Sequence, residues 1–335
     1  MTITGRLVGG GGGGRRLPSL IQRHNTNRFP IKLTASRRTF RLIIIGLAFI
    51  ALLPPIFFHF RLRNFHQTQL RKCGWLNNPP LVCAHGGDSA NAFPNSMAAY
   101  DLAIRSRADC IEIDVSRSSD GALFALHDRD LQRIPGHNSS KVGYLNMKEI
   151  KELRVPHISG EEFRDLKVPS VEDALQVISN SVRQIILDAK VGPPSYEKGL
   201  ANDILSIVHK AQCKNCLVWA KGDGLVRDVV KQSTDVMAGY IVMVDPKTGN
   251  RMNLLRMKKA EAVGVYHPLI DEKVVRILHG RNKKVYAWTV DDVDSMQRML
   301  SEHVDAIVTS NPSLLQRLMQ DIRTQCREEG FSLQR

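Results

Sequence analysis

Residues 110–128 read CIEIDVSRSSDGALFALHD, and this stretch decides the fold. Its first six residues form a run typical of a buried parallel strand. The Asp120-Gly121 pair is a hairpin turn signal, so we predict that 122–127 folds back as a ribbon over that strand. The linking residues 116–121 are too few for a parallel crossover, which needs about a dozen residues or more. The ribbon is therefore expected to lie outside the main sheet.

Outward from this stretch, short apolar runs alternate with helical patterns over residues 73–323, a span of 251 residues. This alternation predicts a (β/α)8 TIM barrel, which typically needs about 250 residues. An open doubly wound sheet is the alternative, but it predicts a glycine-rich phosphate fingerprint that the sequence lacks. The predicted strands are 81–84, 110–115, 185–190, 216–220, 239–244, 262–267, 284–290 and 305–309. The predicted helices are 96–106, 197–211, 225–233, 252–260, 271–280, 292–301 and 313–323.

The positive charge of the chain is concentrated at its N-terminus. The chain of 335 residues has a formal net charge of +14. Residues 1–72 contain 13 Lys and Arg residues and no acidic residue, whereas the remainder has 34 basic and 33 acidic residues. The body of the protein is therefore balanced in charge, which argues against nucleic acid as a partner.

The segment 42–58 is apolar and uncharged, which predicts a membrane anchor. The basic arm is then the sequence that flanks this anchor. Nine basic residues precede the segment, and four follow it before the first acidic residue, Asp88. This bias predicts a cytosolic N-terminus and a lumenal or extracellular body in the endomembrane system. Three alternatives are a buried core helix, a cleaved signal sequence, and an organelle membrane reached after an Arg-rich transit peptide.

The predicted domain organisation follows from these features. The barrel domain is assigned to 80–320, and the only usable glycosylation sequon starts at Asn138. The other segments are a basic, Gly-rich, disordered cytosolic tail at 1–41, the transmembrane helix at 42–58, a linker at 59–79 and a C-terminal tail at 321–335.

The six cysteines are compatible with a lumenal body without requiring it. Cys83 and Cys110 lie within apolar strands and are expected to be buried thiols. Cys213 and Cys216 form a lone C-x-x-C, which is a weak zinc signal and predicts either a small disulfide loop or two free thiols.

Polar residues collect at the ends of the first three predicted strands and the seventh. Glu112 and Asp114 are two residues apart on one strand, so both point into the barrel, where a divalent cation would compensate their charge. Lys190 could neutralise a phosphate, and two histidines could transfer protons in opposite directions. The residues concerned are His85, Glu112, Asp114, His127, Asp188, Lys190 and Trp288. Each has an ordinary structural interpretation, such as a core histidine or a buried ion pair.

Several motifs in order resemble the glycerophosphodiester phosphodiesterase family, and more narrowly its membrane-anchored plant branch. They are Ala84-His85-Gly86-Gly87, Asn95 to Tyr100, Ala108 to Val115, Asp120-Gly121, His127-Asp128, Val285 to Val290 and Val304 to Thr309. The resemblance covers about residues 80–320. It implies a TIM barrel of the phospholipase C-like phosphodiesterase type. It also implies hydrolysis of deacylated phospholipids, such as glycerophosphocholine, to glycerol 3-phosphate and an alcohol with a divalent cation, Mg²⁺ or Ca²⁺.

Carried over by position, the resemblance implies that His85 and His127 are the catalytic acid/base pair. It implies that Glu112, Asp114 and Asp188 are metal ligands. Lys190 matches the lysine of the family, and Trp288 is expected to contact the substrate.

Three positions depart from the family pattern. Gly86 stands where the family has arginine, Pro94 replaces a glutamate, and Asp188 replaces a glutamate among the ligands. The loss of the first two could remove a bidentate phosphate contact. Two alternatives to glycerophosphodiester hydrolysis stay open. One is a lysophospholipase D-type activity on lysophospholipids, and the other, suggested by Gly86 and Pro94, is a catalytically weakened, membrane-anchored binding or scaffold barrel. The oligomeric state is not indicated by the sequence.

Overall fold

The computed structural model describes residues 36–154 and 167–331. The glycine run at 9–14 and most of the predicted tail lie outside the described residues. The strands are β1 (Leu81–His85), β2 (Cys110–Arg117), β3 (Leu123–Ala125), β4 (Gln184–Ala189), β5 (Cys216–Ala220), β6 (Met237–Val242), β7 (Ala262–Tyr266), β8 (Lys284–Trp288) and β9 (Ala306–Thr309). The helices are α1 (Arg37–Cys73), α2 (Met97–Arg105), α3 (Asp128–Leu131), α4 (Met147–Glu152), α5 (Val171–Ile178), α6 (Leu200–Lys210), α7 (Asp223–Gln232), α8 (Glu272–His279), α9 (Val293–Ser301) and α10 (Pro312–Glu328).

Eight parallel strands close into a barrel. The order is β1-β9-β8-β7-β6-β5-β4-β2, and pairing of β1 with β2 completes the ring. The remaining strand, β3, runs antiparallel to β2 at the edge of the sheet and is not part of the ring. The predicted barrel is therefore confirmed, and so is the ribbon outside it. In such barrels the chemistry lies at the C-terminal ends of the strands.

One large side chain fills the middle of the barrel. The side chain of Trp219 on β5 is 2% exposed, and it lies against Gly239 on the adjacent strand β6 and Gly264 on β7, the next strand of the barrel. A Cβ atom on Gly239 would lie 3.0 Å from the Trp219 Cβ, and one on Gly264 would lie 2.9 Å from the indole ring. These glycines leave the space that the indole needs, and the indole forms part of the floor beneath the strand ends.

The helix predicted at 252–260 is wrong. The segment has turns and no helix, although Leu254, Met257 and Ala260 are buried at a spacing of three residues that imitates a helical face. Its carbonyl groups are satisfied by side chains instead. The Tyr240 hydroxyl donates to the Leu254 carbonyl, and the Lys283 ammonium donates to the carbonyls of Met257 and Ala260. Hydrogen bonds from distant side chains therefore take the place of the backbone hydrogen bonds that a helix would make.

Chain contacts divide the protein into two units, residues 1–61 and 62–335. In the described part of the first unit, residues 37–61 are helical and their large apolar side chains are exposed. The helix α1 continues through Pro54 and Pro55. Its final residues, and a short 3-10 helix at Gly74–Asn77, occupy most of the predicted linker 59–79.

All six cysteines are paired, so the expectation of free thiols at Cys83 and Cys110 is wrong. Both are fully buried as expected, but they are register neighbours on β1 and β2 with Cα atoms 4.2 Å apart. The Cys213–Cys216 pair forms the small disulfide loop. The third pair joins Cys73 to Cys326 on α10 across 253 residues of sequence.

Removal of the long-range disulfide should destabilise the second unit more than removal of the short one. Closing a loop of 253 residues removes far more unfolded-state entropy than closing one of three. The chain-entropy relation gives about 5 kcal/mol for Cys73→Ser/Cys326→Ser and about 2 kcal/mol for Cys213→Ser/Cys216→Ser. Urea unfolding of the two variants measures the free energies of unfolding. Equal losses would contradict the expectation.

Candidate active site

The register of three neighbouring strands brings the predicted site residues together. His85 on β1 is opposite Glu112 on β2, and Asp114 on β2 is opposite Asp188 on β4. Paired residues in a parallel sheet point to the same face, and so do residues two apart on one strand. All four side chains therefore converge at the C-terminal ends of the strands, as the alternation of the sequence predicts.

Three buried carboxylates form the base of the site. One oxygen from each of Glu112, Asp114 and Asp188 lies within 4.8 Å of the others. The residues are 1%, 0% and 7% exposed. Burial, followed by the Asp114 charge, holds the pKa of Glu112 well above its usual range. For Asp114, burial is the largest influence and opposes ionisation, but Lys190, His85 and His127 together outweigh it and hold the pKa of that carboxyl below its usual range.

Lys190 is the cation that contacts this cluster. Its Nζ lies 2.5 Å from Asp114 Oδ1 and also contacts Asp188 Oδ2. Burial alone would lower its pKa, but the three carboxylates raise it, so the side chain stays charged. When all three acids are ionised, the cluster retains a surplus of two negative charges over Lys190. A hard divalent cation fits this all-oxygen donor set in both charge and chemistry.

Two polar contacts hold the carboxylates in place. The backbone N–H of Gly86 donates to Glu112 Oε2 at 2.8 Å. The Asn95 amide donates to Asp114 Oδ2 at 2.9 Å, and its oxygen accepts the Asp114 backbone N–H at 2.9 Å. Gly86 has a φ of 62° and Asn95 a φ of 60°, so both lie in the left-handed region that favours these residue types. Asn95 is a positioning residue that sequence analysis did not single out.

The two histidines lie on the same small pocket, which has a volume of about 40 Å³. His127 begins α3, and its Nδ1 accepts the backbone N–H of Arg129 at 3.1 Å. Burial, followed by the charge of Lys190, lowers the pKa of His127 to about 4. Burial also lowers the pKa of His85. A ring with a lowered pKa is more often neutral at pH 7 and able to accept a proton.

Arg129 and Lys221 complete the pocket and were missed by the sequence analysis. Arg129 Nη2 lies 3.4 Å from His85 Nε2 and 3.9 Å from Asp114 Oδ2. No sequence pattern marks Arg129. It lies in α3, two residues after His127 and outside the alternation of any strand. Lys221 could have been found, since Leu217, Trp219 and Lys221 continue the inward alternation of β5.

Trp288 forms the remaining wall. Its indole lies at the end of β8, with its centroid 5.7 Å from that of the Tyr266 ring. Lys221 Nζ lies 5.9 Å from the indole centroid. The pocket thus unites six of the seven residues predicted from sequence, with the seventh, Asp114, directly beneath it in contact with Lys190.

Comparison with known proteins agrees with this geometry. The model of the glycerophosphoryl diester phosphodiesterase family matches residues 85–314. The chain is 62% identical over 298 residues to the glycerophosphodiester phosphodiesterase GDPD4 of Arabidopsis thaliana, covering 89% of this chain and 91% of that protein. It is 27% identical over 239 residues to a glycerophosphodiester phosphodiesterase of Caldanaerobacter subterraneus, covering 70% and 96%.

Solved structures support the fold. A putative glycerophosphoryl diester phosphodiesterase from Silicibacter pomeroyi superposes with a TM-score of 0.65 at 17% identity, covering 73% of this chain and 95% of that one. An Oleispira antarctica phosphodiesterase, in complex with the product sn-glycerol-3-phosphate, superposes with a TM-score of 0.61 at 22% identity, covering 72% and 97%. The chain therefore belongs to the glycerophosphoryl diester phosphodiesterase family and is a phosphoric diester hydrolase.

Proposed function

We propose that the protein hydrolyses glycerophosphodiesters, such as glycerophosphocholine, to sn-glycerol 3-phosphate and an alcohol. The observation that carries the proposal is the convergence of two histidines, three carboxylates and Lys190 on one pocket at the strand ends. A lysophospholipid could present the same phosphodiester bond. The pocket is lined mainly by polar and aromatic groups, which favours the deacylated substrate.

Glu112, Asp114 and Asp188 would hold Mg²⁺ or Ca²⁺. When bound, such a cation neutralises a phosphate oxygen and stabilises the charge that develops on it. Lys190 remains fixed between Asp114 and Asp188, and it presents the positive charge of its ammonium to the phosphate. Asn95 and the Gly86 N–H keep the two carboxylates of β2 directed into the pocket.

His85 and His127 carry the proton transfers. Hydrolysis needs one group to take a proton from the attacking hydroxyl and one to give a proton to the departing alkoxide. The two rings come from different elements, the end of β1 and the start of α3, so a phosphate can lie between them. The nucleophile is water, or the glycerol hydroxyl of the substrate itself, which would give a cyclic phosphate that is then opened.

Arg129 takes the role of a phosphate-binding guanidinium. Gly86 removes the arginine that the family has at that position, and its left-handed backbone and a 3.3 Å approach to Asn95 leave little space for a side chain. Arg129 reaches the same pocket from the ribbon, beside His85. Its nearest acidic partners in the described residues are 3.9–4.0 Å away, so its donors are available to an anion.

The helix at 42–58 anchors the protein in a membrane of the endomembrane system, with the barrel on the lumenal or extracellular side. Residues Arg37–Asn77 contain a window of mean hydropathy 2.4 that is 0% buried. Three disulfides in one domain are typical of an oxidising compartment. The basic residues that precede the apolar segment favour a cytosolic N-terminus.

The full chain in detergent should release glycerol 3-phosphate from glycerophosphocholine. Its turnover of lysophosphatidylcholine should be lower, because the reaction pocket has a volume of only about 40 Å³ and is lined mainly by polar and aromatic groups. Both products, glycerol 3-phosphate and choline, are measured in parallel. Activity on neither substrate would favour the scaffold barrel, and choline from lysophosphatidylcholine alone would favour the lysophospholipase D-type activity.

Substitution of either histidine should reduce turnover and leave the fold intact. His85→Ala and His127→Ala should each lower kcat by roughly 10²–10⁴-fold, the usual contribution of a proton-transfer group. His137→Ala, outside the pocket, is the matched control and should keep full activity. Steady-state kinetics and thermal unfolding are measured together. Unchanged kcat with a lowered melting temperature for both variants would identify ordinary core histidines.

Substitution of Arg129 should weaken phosphate binding. A charge-assisted hydrogen bond contributes about 1.5–3 kcal/mol, so Arg129→Ala should lower kcat/KM by about 10–100-fold, with partial rescue in Arg129→Lys. Arg133→Ala is a matched control, because the two side chains are 53% and 55% exposed and Arg133 packs on Phe93 instead. Inhibition by glycerol 3-phosphate provides a second readout. Equal behaviour of the two alanine variants would contradict the role of Arg129.

The topology is tested in sealed microsomes. The barrel should resist protease added to the cytosolic side, and Asn138, which is exposed, should carry a glycan that an endoglycosidase removes. Disruption of the membrane with detergent provides the control for protease access. Digestion of the barrel in intact vesicles, or a mature chain that lacks residues 1–58, would contradict the proposed anchor.

A further inference from the structure

A second cavity opens beside the reaction pocket. This side pocket has a volume of about 210 Å³, and its walls include Ser116, Gly143, Val191, Pro193, Tyr196 and Leu200. It shares His127, Asp188, Lys190 and Lys221 with the reaction pocket, which has only about 40 Å³. The two pockets therefore adjoin at these side chains. A volume below the roughly 300–1,000 Å³ of pockets for drug-sized ligands suits the small alcohol of a deacylated phospholipid.

Almost all charged side chains of the side pocket are compensated. Arg117 is paired with Asp203 at 2.7 Å. Asp128 accepts the Val142 backbone N–H at 2.9 Å and lies 3.3 Å from the ammonium of Lys141. Lys190 contacts Asp114 and Asp188, as described above. Each of these charged groups therefore has a direct partner of opposite charge.

Lys221, by contrast, has no direct acidic partner among the described residues. Within residues 36–154 and 167–331, no acidic group lies within 4.0 Å of its ammonium, which faces the indole of Trp288 at 5.9 Å. Burial, followed by the charge of Lys190, lowers its pKa. Lys221 therefore places an ammonium without a direct acidic partner where the side pocket meets the reaction pocket.

We propose that the side pocket holds the alcohol half of the diester and that Lys221 selects alcohols without a positive charge. Neutral polyols, such as glycerol or inositol, can accept hydrogen bonds from the Lys221 ammonium. A quaternary ammonium such as choline cannot, and it is repelled by a like charge in a partly desolvated place. This inference rests on the proposed hydrolysis of glycerophosphodiesters and names the preferred class among them.

The chain offers a close control for this residue. Lys221 follows the C-terminal end of β5, whereas Lys214 precedes the N-terminal end of the same strand and is exposed. Lys221→Met removes the charge and keeps a long stem against Trp288. Lys221→Arg keeps the charge. Lys214→Met removes a lysine of the same strand from the opposite face of the barrel.

The test compares kcat/KM for glycerophosphoglycerol and glycerophosphocholine with the full chain and these variants. The wild type should prefer glycerophosphoglycerol by about tenfold, corresponding to a modest like-charge penalty. Lys221→Met should remove the preference, mainly by improving glycerophosphocholine, and Lys221→Arg and Lys214→Met should keep it. An equal loss on both substrates in Lys221→Met, or a wild-type preference for glycerophosphocholine, would overturn the proposal.

A binding measurement separates this proposal from the proposed function. Calorimetry with His85→Ala follows binding of the two intact diesters without turnover. Glycerophosphoglycerol should bind about tenfold more tightly, and the difference should vanish in His85→Ala/Lys221→Met. Equal binding of the two diesters, or binding of neither, would overturn the role of Lys221. Absence of glycerol 3-phosphate from every substrate with the wild type would instead overturn the proposed hydrolysis.

Discussion

The arrangement of the site depends on burying three carboxylates at the C-terminal ends of the barrel strands, with Lys190 as the lysine in direct contact with them. Such a cluster is costly to bury, because ionised groups lose hydration that their neighbours must replace. Lys190 compensates one charge, and burial, followed by the Asp114 charge, raises the pKa of Glu112. Neighbouring polar groups position these carboxylates, whose negative charge exceeds the positive charge of Lys190. The Gly86 N–H fixes Glu112 in place, and the Asn95 side chain fixes Asp114.

The loop between β1 and α2 and the ribbon after β2 act together at the mouth of the barrel. Gly86 and Asn95 adopt left-handed backbone conformations that bring their polar groups onto the carboxylates. The ribbon then delivers His127 and Arg129 from the other side. The departure from the family pattern at Gly86 is thus accompanied by a guanidinium from a different element.

Much of the fold was predictable because buried parallel strands produce apolar runs that local sequence alone can reveal. All eight barrel strands and the ribbon were predicted, with ends within about two residues of the structure. The failure at 252–260 has a specific cause, since Lys283 and Tyr240 supply hydrogen bonds from distant positions. The pairing of Cys83 with Cys110 depends on the register of β1 with β2, which the sequence does not encode locally.

The site was predictable to a similar degree. Glu112 and Asp114 follow from strand alternation, and the same rule would have found Lys221 on β5. Arg129 and Asn95 could not be found in this way, because Arg129 lies in the short helix α3 and Asn95 in the loop between β1 and α2, outside the alternation of any strand. The Gly86 substitution suggested a missing phosphate contact, and only the three-dimensional arrangement reveals another arginine beside His85.

Calorimetric titration of Mg²⁺ and of Ca²⁺ into the full chain tests the central claim most directly. The charge imbalance predicts one divalent site per chain in the wild type, weakened at least about 100-fold in Glu112→Gln, which removes one ligand charge. Glu152→Gln, at an exposed position of α4, should bind like the wild type. Equal affinity in wild type and Glu112→Gln, or no binding by the wild type, would contradict the account and leave the carboxylates as structural partners of Lys190.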